Sequence, residues 1–205
     1  MVRKNTKETI RKTALQLFSV HGYDGVSIRD IAKVVGIKES SIYKHYSGKE
    51  ALLSAIVDYH SHVYEEAAAK FMVPNDDFEQ DMRQYLQMEE NMLFRLVEQL
   101  FLFYVKEDEN VWFRHLLENE RHHNPELKDR YDSYYVKQPI QYQTMLFQKM
   151  MEAGYFVECD PAIMAYQFYA PILVMMELYD EKTEAEIRNL LHRHVYQFGK
   201  QYCKK

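Results

Sequence analysis

GYDGVSIRDIAKVVGIKESSIYKHYSGKEALL, residues 22–53, is the stretch that decides the fold. Ser27 is a favoured N-cap, and Ile28, Ile31, Ala32 and Val35 behind it fall on one face of a short helix that Gly36 ends. Only Ile37 separates that glycine from Lys38, where a second amphipathic segment starts and runs through Ile42 and Tyr43 to Tyr46. Helix, tight glycine turn and helix within about twenty residues make a helix-turn-helix. Upstream, Ile10, Ala14, Leu17 and Phe18 mark the inner face of a helix from Thr6 to His21, closed by Gly22. A three-helix head therefore occupies residues 1–50.

The outer face of the second segment suits DNA. A short helix bearing small or polar residues enters the major groove while the helix before it braces across the backbone. Ser40 and Ser41 are the small residues, and Lys38, Tyr43, Lys44 and His45 surround them with donors for phosphates and base edges. Lys49 follows Gly48 at the start of the next helix, where its charge and the unpaired backbone N–H groups are placed to share one phosphate. Arg3, Lys4 and Lys7 supply a basic N-terminal arm. Ile28, Ile31, Ala32, Val35, Ile42 and Tyr46 belong to the core of the head. Charge agrees with this division. Residues 1–50 hold ten Lys or Arg against five Asp or Glu, and the other 155 hold sixteen against twenty-six, so a basic head (+5) sits on an acidic body (−10).

In these residues the head resembles the DNA-binding signature of the TetR family of bacterial transcription regulators. The family's glycine turn falls on Gly36, its small hydroxyl residue on Ser41, its recognition-helix tyrosine on Tyr43, its closing aromatic on Tyr46 and its helix-four lysine on Lys49. The resemblance implies that Ser27, Ser41, Tyr43, His45 and Lys49 touch phosphates, and that Lys38, Ser40 and Lys44 lie nearest the bases. Glu39 departs from the pattern, at a position that is often basic or neutral in the family. Its carboxylate suits either a cytosine amine or the N-terminus of its own helix.

Residues 51–205 read as a larger helical body, so the fold class is all-α. Ala51, Leu52, Leu53, Ile56 and Val57 begin a long helix continuing to about Phe71, before the break at Pro74 and Asn75. Further helices are predicted over 77–88, 90–105, 110–122, 126–153, 161–179 and 183–202, with no internal repeat. Their boundaries are signalled by Asn124-Pro125, by Gly154, by Asp160 as N-cap with Pro161 behind it, and by a Thr183/Glu186 capping box. Ile187, Leu190, Leu191, His194, Val195, Phe198 and Tyr202 make a stripe along the last helix, while the helix before it is apolar on nearly every side and needs two buried neighbours. GYF at 154–156, DP at 160–161, QFYAPI at 167–172 and HVYQF at 194–198 resemble one branch of TetR-family bodies, in which the last two helices pair with a twin's as a four-helix bundle. A homodimer through 161–179 and 183–202 is the expectation.

The same resemblance implies a ligand cavity among the middle helices. Tyr104, Trp112, His115, Tyr131, Tyr135 and Tyr142 offer aromatic surface there, and Glu98 and Gln99 interrupt the apolar stretch from Met92 to Val105. An apolar wall with few polar groups is how small-molecule sites are built, although aromatics at helical spacing equally fill cores. The expected effector is bulky and partly apolar.

Other functions fit less well. Glu120 and His123 form one Glu-x-x-His, but a di-iron bundle needs a second, and none exists. No Gly-rich phosphate loop, nucleophile elbow or Cys pair appears, so neither an enzyme nor a metal or cofactor site is expected. Cys159 and Cys203 make no ligand spacing and no disulfide framework, which fits the reducing cytoplasm. Lys7, Glu8, Arg11 and Lys12 interrupt the N-terminal stretch where a signal peptide would be apolar, and 162–178 is interrupted by Gln167, Pro171 and Glu177, so neither export nor a membrane span is expected. The expected function is a regulator, in the family's usual sense a repressor, that binds a palindromic operator as a homodimer and is released by a small ligand. The alternative is a helical protein-interaction module that keeps the head fold without binding DNA; Glu39 and the overall charge of −5 are what favour it.

Overall fold

The computed structural model describes residues 6–71, 90–179 and 183–204. The predicted helix over 77–88, the Pro74-Asn75 break, and Arg3 and Lys4 of the basic arm lie outside them. Among the described residues the chain is helical and has no strand; Phe156 and Cys203 form an isolated antiparallel bridge. The helices are α1 (Thr6–His21), α2 (Ile28–Val35), α3 (Glu39–Ile42), α4 (Lys49–Phe71), α5 (Glu90–Val105), α6 (Asp108–Glu120), α7 (Pro125–Asp132), α8 (Gln138–Glu152), α9 (Pro161–Glu177) and α10 (Glu184–Tyr202). No described helix is long and apolar enough to cross a membrane.

The chain forms two compact units. One joins the residues up to Ala68 with Lys106–Tyr131; the other joins Ala69–Val105 with Asp132–Lys205. The predicted three-helix head is thus packed together with most of α4, with α6 and with most of α7.

In the first unit Ile10, Ala14, Leu15 and Phe18 of α1, Ile31 of α2, Ile42 of α3 and Leu52 and Ile56 of α4 are buried, as are Phe113, Leu116 and Leu117 of α6. α1 packs on both α2 and α6. Arg11 of α1, buried with that helix's inner face, meets the Glu109 carboxylate of α6 at 2.9 Å, and Lys12 adds a second contact at 3.2 Å. A buried guanidinium is tolerated only with such a partner.

Two buried clusters hold the second unit together. Phe147, Met150, Phe156, Met164, Phe198 and Tyr202 form one; Phe101, Val105, Tyr169, Ile172, Met176, Ile187 and Leu191 form the other. Caps fix the element ends. Asp160 accepts from the Ala162 and Ile163 N–H groups with Pro161 at the first helical position, and Thr183 and Glu186 make a reciprocal capping box. The predicted single helix over 126–153 is interrupted by a π turn at Ser133–Lys137, in which the Gln138 N–H reaches back to the Ser133 carbonyl.

Candidate nucleic-acid interface

The helix-turn-helix is built from local chemistry. Ser27 caps α2 by accepting from the Asp30 N–H, and the Asp30 carboxylate accepts from the Ser27 N–H in return. The Ser27 hydroxyl also donates to that carboxylate, which holds Asp30 below the usual aspartate range. At the other end of α2, Gly36 adopts φ +77°, and its N–H closes on the Ala32 carbonyl. The left-handed conformation costs a Cβ-bearing residue about 1–2 kcal/mol, so glycine is what lets the chain turn directly into α3.

α3 is shorter than the predicted 38–46 segment. Regular helix covers Glu39–Ile42, and the chain continues as tight turns in which His45 and Tyr46 N–H groups both return to the Ile42 carbonyl. Ile42 is fully buried, and the buried Tyr46 sends its hydroxyl to the Lys7 carbonyl at 3.0 Å, which pins the far end of this segment to α1. With its inner side anchored, the segment presents its other residues outward. Lys38, Glu39, Ser40, Tyr43, Lys44 and His45 are exposed, with Tyr43 at 53%, and Ser41 is half-buried. An exposed phenol, two ammonium groups, an imidazole and a small hydroxyl on a braced helix turn can donate to phosphates and base edges. Glu39 lies in the first turn of α3, where its charge complements the helix dipole.

Ser27 and Lys49 are placed differently. The Ser27 hydroxyl is engaged twice within the α2 cap. Lys49 is half-buried, and its Nζ donates to the Tyr23 and Val26 carbonyls at 2.8 and 3.0 Å while lying 4.1 Å from the centre of the Tyr23 ring.

Comparison with known proteins agrees with this geometry. Residues 10–56 match the family described as bacterial regulatory proteins, tetR family. Over 52 residues, 25% of this chain and 28% of the other, the sequence is 44% identical to the biofilm operon icaADBC HTH-type negative transcriptional regulator IcaR of Staphylococcus epidermidis. The chain therefore spans just over a quarter of that curated relative's length. Likeness of fold reaches much further. A transcriptional regulator from Saccharomonospora viridis, solved in complex with choline, superposes with a TM-score of 0.67 over 97% of this chain and 98% of its own, at 21% identity. AibR, solved with isovaleryl coenzyme A and operator DNA, superposes with a TM-score of 0.62 over 92% and 96%, at 20% identity.

Residues 10–56 match the TetR-family head, and beyond them the likeness is one of fold.

The eight residues expected at a TetR-type effector site divide between the two units. Tyr104 and Tyr135 meet edge to face, ring centres 5.6 Å apart, in the second unit. Tyr135 is fully buried, Tyr142 is half-buried and Gln99 is exposed. Glu98 is buried and already paired: Arg188 of α10 donates to its carboxylate at 2.6 Å. Trp112, His115 and Tyr131 belong to the first unit, where Lys12 lies over Trp112, His115 Nε2 lies 3.4 Å from Arg114 Nη2, and Arg121 lies over the buried Tyr131 ring. A groove of about 420 Å³ runs along the start of α10, lined by Ala185, Glu186, Asn189 and Leu190, and none of the eight lines it.

Glu120, half of an incomplete metal motif in the sequence, has a backbone partner. In the structure its carboxylate accepts from the Tyr23 N–H at 2.7 Å. The pairing joins residues 97 positions apart, beyond the reach of helical periodicity. His60, which stands in no sequence motif, is fully buried and stacks on Phe113 with ring centres 4.3 Å apart.

Proposed function

We propose that this chain is a transcription repressor that binds a palindromic operator as a homodimer in the cytoplasm and lets go when a small, partly apolar ligand binds. The observation that carries the reading is the row of exposed donors at Lys38, Ser40, Tyr43, Lys44 and His45 on a segment anchored by Ile42 and Tyr46. The negative regulator IcaR shares the head sequence, and AibR, which shares the fold, was solved on operator DNA.

Support for the dimer comes from α9. Its inner residues Met164, Ala165, Tyr169, Ile172 and Met176 are buried, while Ile163, Tyr166, Ala170 and Val174 form an exposed stripe along the opposite side, with Val174 at 56%. Covering a side chain of that size is worth about 1.5–3 kcal/mol. A twin's α9 and α10 are the proposed cover, and two heads so held address half-sites about one helical turn apart.

Ligand and DNA would then favour different separations of the two heads, with α4 linking head to body. A hundredfold loss of operator affinity needs about 2.7 kcal/mol of coupling, which a few changed contacts supply.

The test is binding to a duplex recovered by selection from a random-sequence library, followed by fluorescence anisotropy across a salt series. A two-fold symmetric site whose affinity falls steeply with salt is expected. Absence of retained DNA even at low salt would replace the repressor with the protein-interaction module.

A further inference from the structure

The α1–α2 turn, residues 22–27, is held by side chains from two distant parts of the chain. On one side is Lys49, the first residue of α4. An ammonium has three donors, and here two meet the Tyr23 and Val26 carbonyls while the group sits against the Tyr23 ring at 4.1 Å. A cation at a helix N-terminus opposes the dipole, so its place there needs local partners, and the two carbonyls with the ring supply them. On the other side is the end of α6. Glu120 accepts from the Tyr23 N–H at 2.7 Å, and Asn119 donates to the Ser19 carbonyl at 3.0 Å in the last turn of α1. Tyr23 is thus gripped through its N–H, its carbonyl and its ring.

The turn has little freedom to rearrange. A Cβ at Gly25 would lie 2.3 Å from the His21 carbonyl oxygen, so the backbone doubles back too closely for any other residue. Val26 is buried, and the next residue, Ser27, is the α2 N-cap. Whatever holds Tyr23 and Val26 therefore sets where α2 begins, and with it the position of α3 across the Gly36 turn.

We propose that Lys49 and Glu120 are positioning residues that clamp the α1–α2 turn from two sides and so orient the α2–α3 pair for DNA, with Lys49 acting through the two carbonyls instead of through a phosphate. The inference rests on the DNA-binding reading above. It makes the end of α6 a direct determinant of the DNA-reading unit.

Two variants separate positioning from contact. Lys49→Met keeps the apolar stem and removes the charge. A lysine that neutralises a phosphate contributes about 0.9 to the slope of log affinity against log salt. As a positioning residue, Lys49→Met lowers affinity for the selected duplex about tenfold at every salt concentration and leaves the slope unchanged. A slope reduced by about 0.9 would overturn the proposal. Glu120→Ala gives a second sign. Removing a negative charge from a surface near DNA raises affinity electrostatically, so a fall supports the clamp and a rise overturns it. Both measurements are made well below the thermal midpoint of each variant, where a residue serving only stability leaves affinity unchanged.

Hydrogen exchange on the DNA-free protein keeps the two claims apart. Faster exchange of the Tyr23–Ser27 amides in both variants supports the clamp whether or not the parent binds DNA; unchanged exchange overturns it. A parent that binds no duplex sinks the repressor reading instead.

Discussion

The Tyr169 hydroxyl donates a 2.8 Å hydrogen bond to the backbone carbonyl of Tyr135. Pro139, four residues after Tyr135, has no N–H to give that carbonyl, and the π turn at 133–137 lies at the same place. A helix from another part of the chain thus supplies the donor that proline withholds. α9 also contains a proline, Pro171, and the Phe168 carbonyl on the same helix accepts from His194 Nε2 of α10 at 2.8 Å. Tyr169→Phe removes one oxygen and the hydrogen bond it donates. The expected cost is about 0.5–1.5 kcal/mol, read from the urea midpoint with helicity in native buffer unchanged.

His60 predicts an acid-sensitive first unit. Its ring stacks on Phe113 and meets Tyr59 and Tyr64 at their edges, and neither ring nitrogen has a hydrogen-bonding partner among the described residues. Burial, helped by the positive charge of Arg11 and opposed by Glu109, lowers its pKa from 6.5 to about 4. The unfolded chain then binds a proton that the folded chain refuses, so stability is full above pH 6.5 and falls as pH drops toward 4. The loss reaches roughly 3 kcal/mol. Burial raises Glu109, but Arg11 and Lys12 outweigh it and hold that carboxylate below its usual 4.5, so its own contribution is lost only at lower pH. His60→Phe should flatten the thermal midpoint between pH 4 and 6.5; an unchanged slope in that window would remove His60 as its source.

Glu98 and Arg188 predict a rescue. Arg188→Ala strands a buried carboxylate and should lower the denaturation midpoint, because an unpaired buried charge costs more than the pair contributes. Adding Glu98→Gln to that variant should recover part of the loss, since the neutral amide is less costly to bury. No recovery in the double variant would mean that the carboxylate finds another partner.

Val174→Glu tests the proposed pairing face. The residue is exposed in the single chain, so the substitution should leave helicity and monomer stability within about 0.5 kcal/mol of the parent. Native mass spectrometry should report a dimer for the parent and a monomer for the variant. A dimeric Val174→Glu protein would move the interface elsewhere.

The sequence by itself determined the helix-turn-helix, because every signal for it is short-range: the Ser27 cap, the Gly36 turn, the hydrophobic phase of Ile28, Ile31 and Ile42, and the charge contrast between head and body. It also set the ends of α9 and α10, where Asp160 and Thr183 act on residues two or three positions away. The reach of α3 was less legible, since Tyr43 to Tyr46 keep the amphipathic pattern while the backbone tightens into turns. Only the tertiary structure decided which polar side chains face outward and which are used up inside. Lys49 reads as a free cation at a helix start, Glu98 as a polar break in an apolar run, and Glu120 as part of a metal motif. Their partners lie 23 to 97 residues away, across packed helices. Periodicity along one helix says which face a side chain is on; the charge or carbonyl waiting there comes from another helix, and packing alone brings the two together.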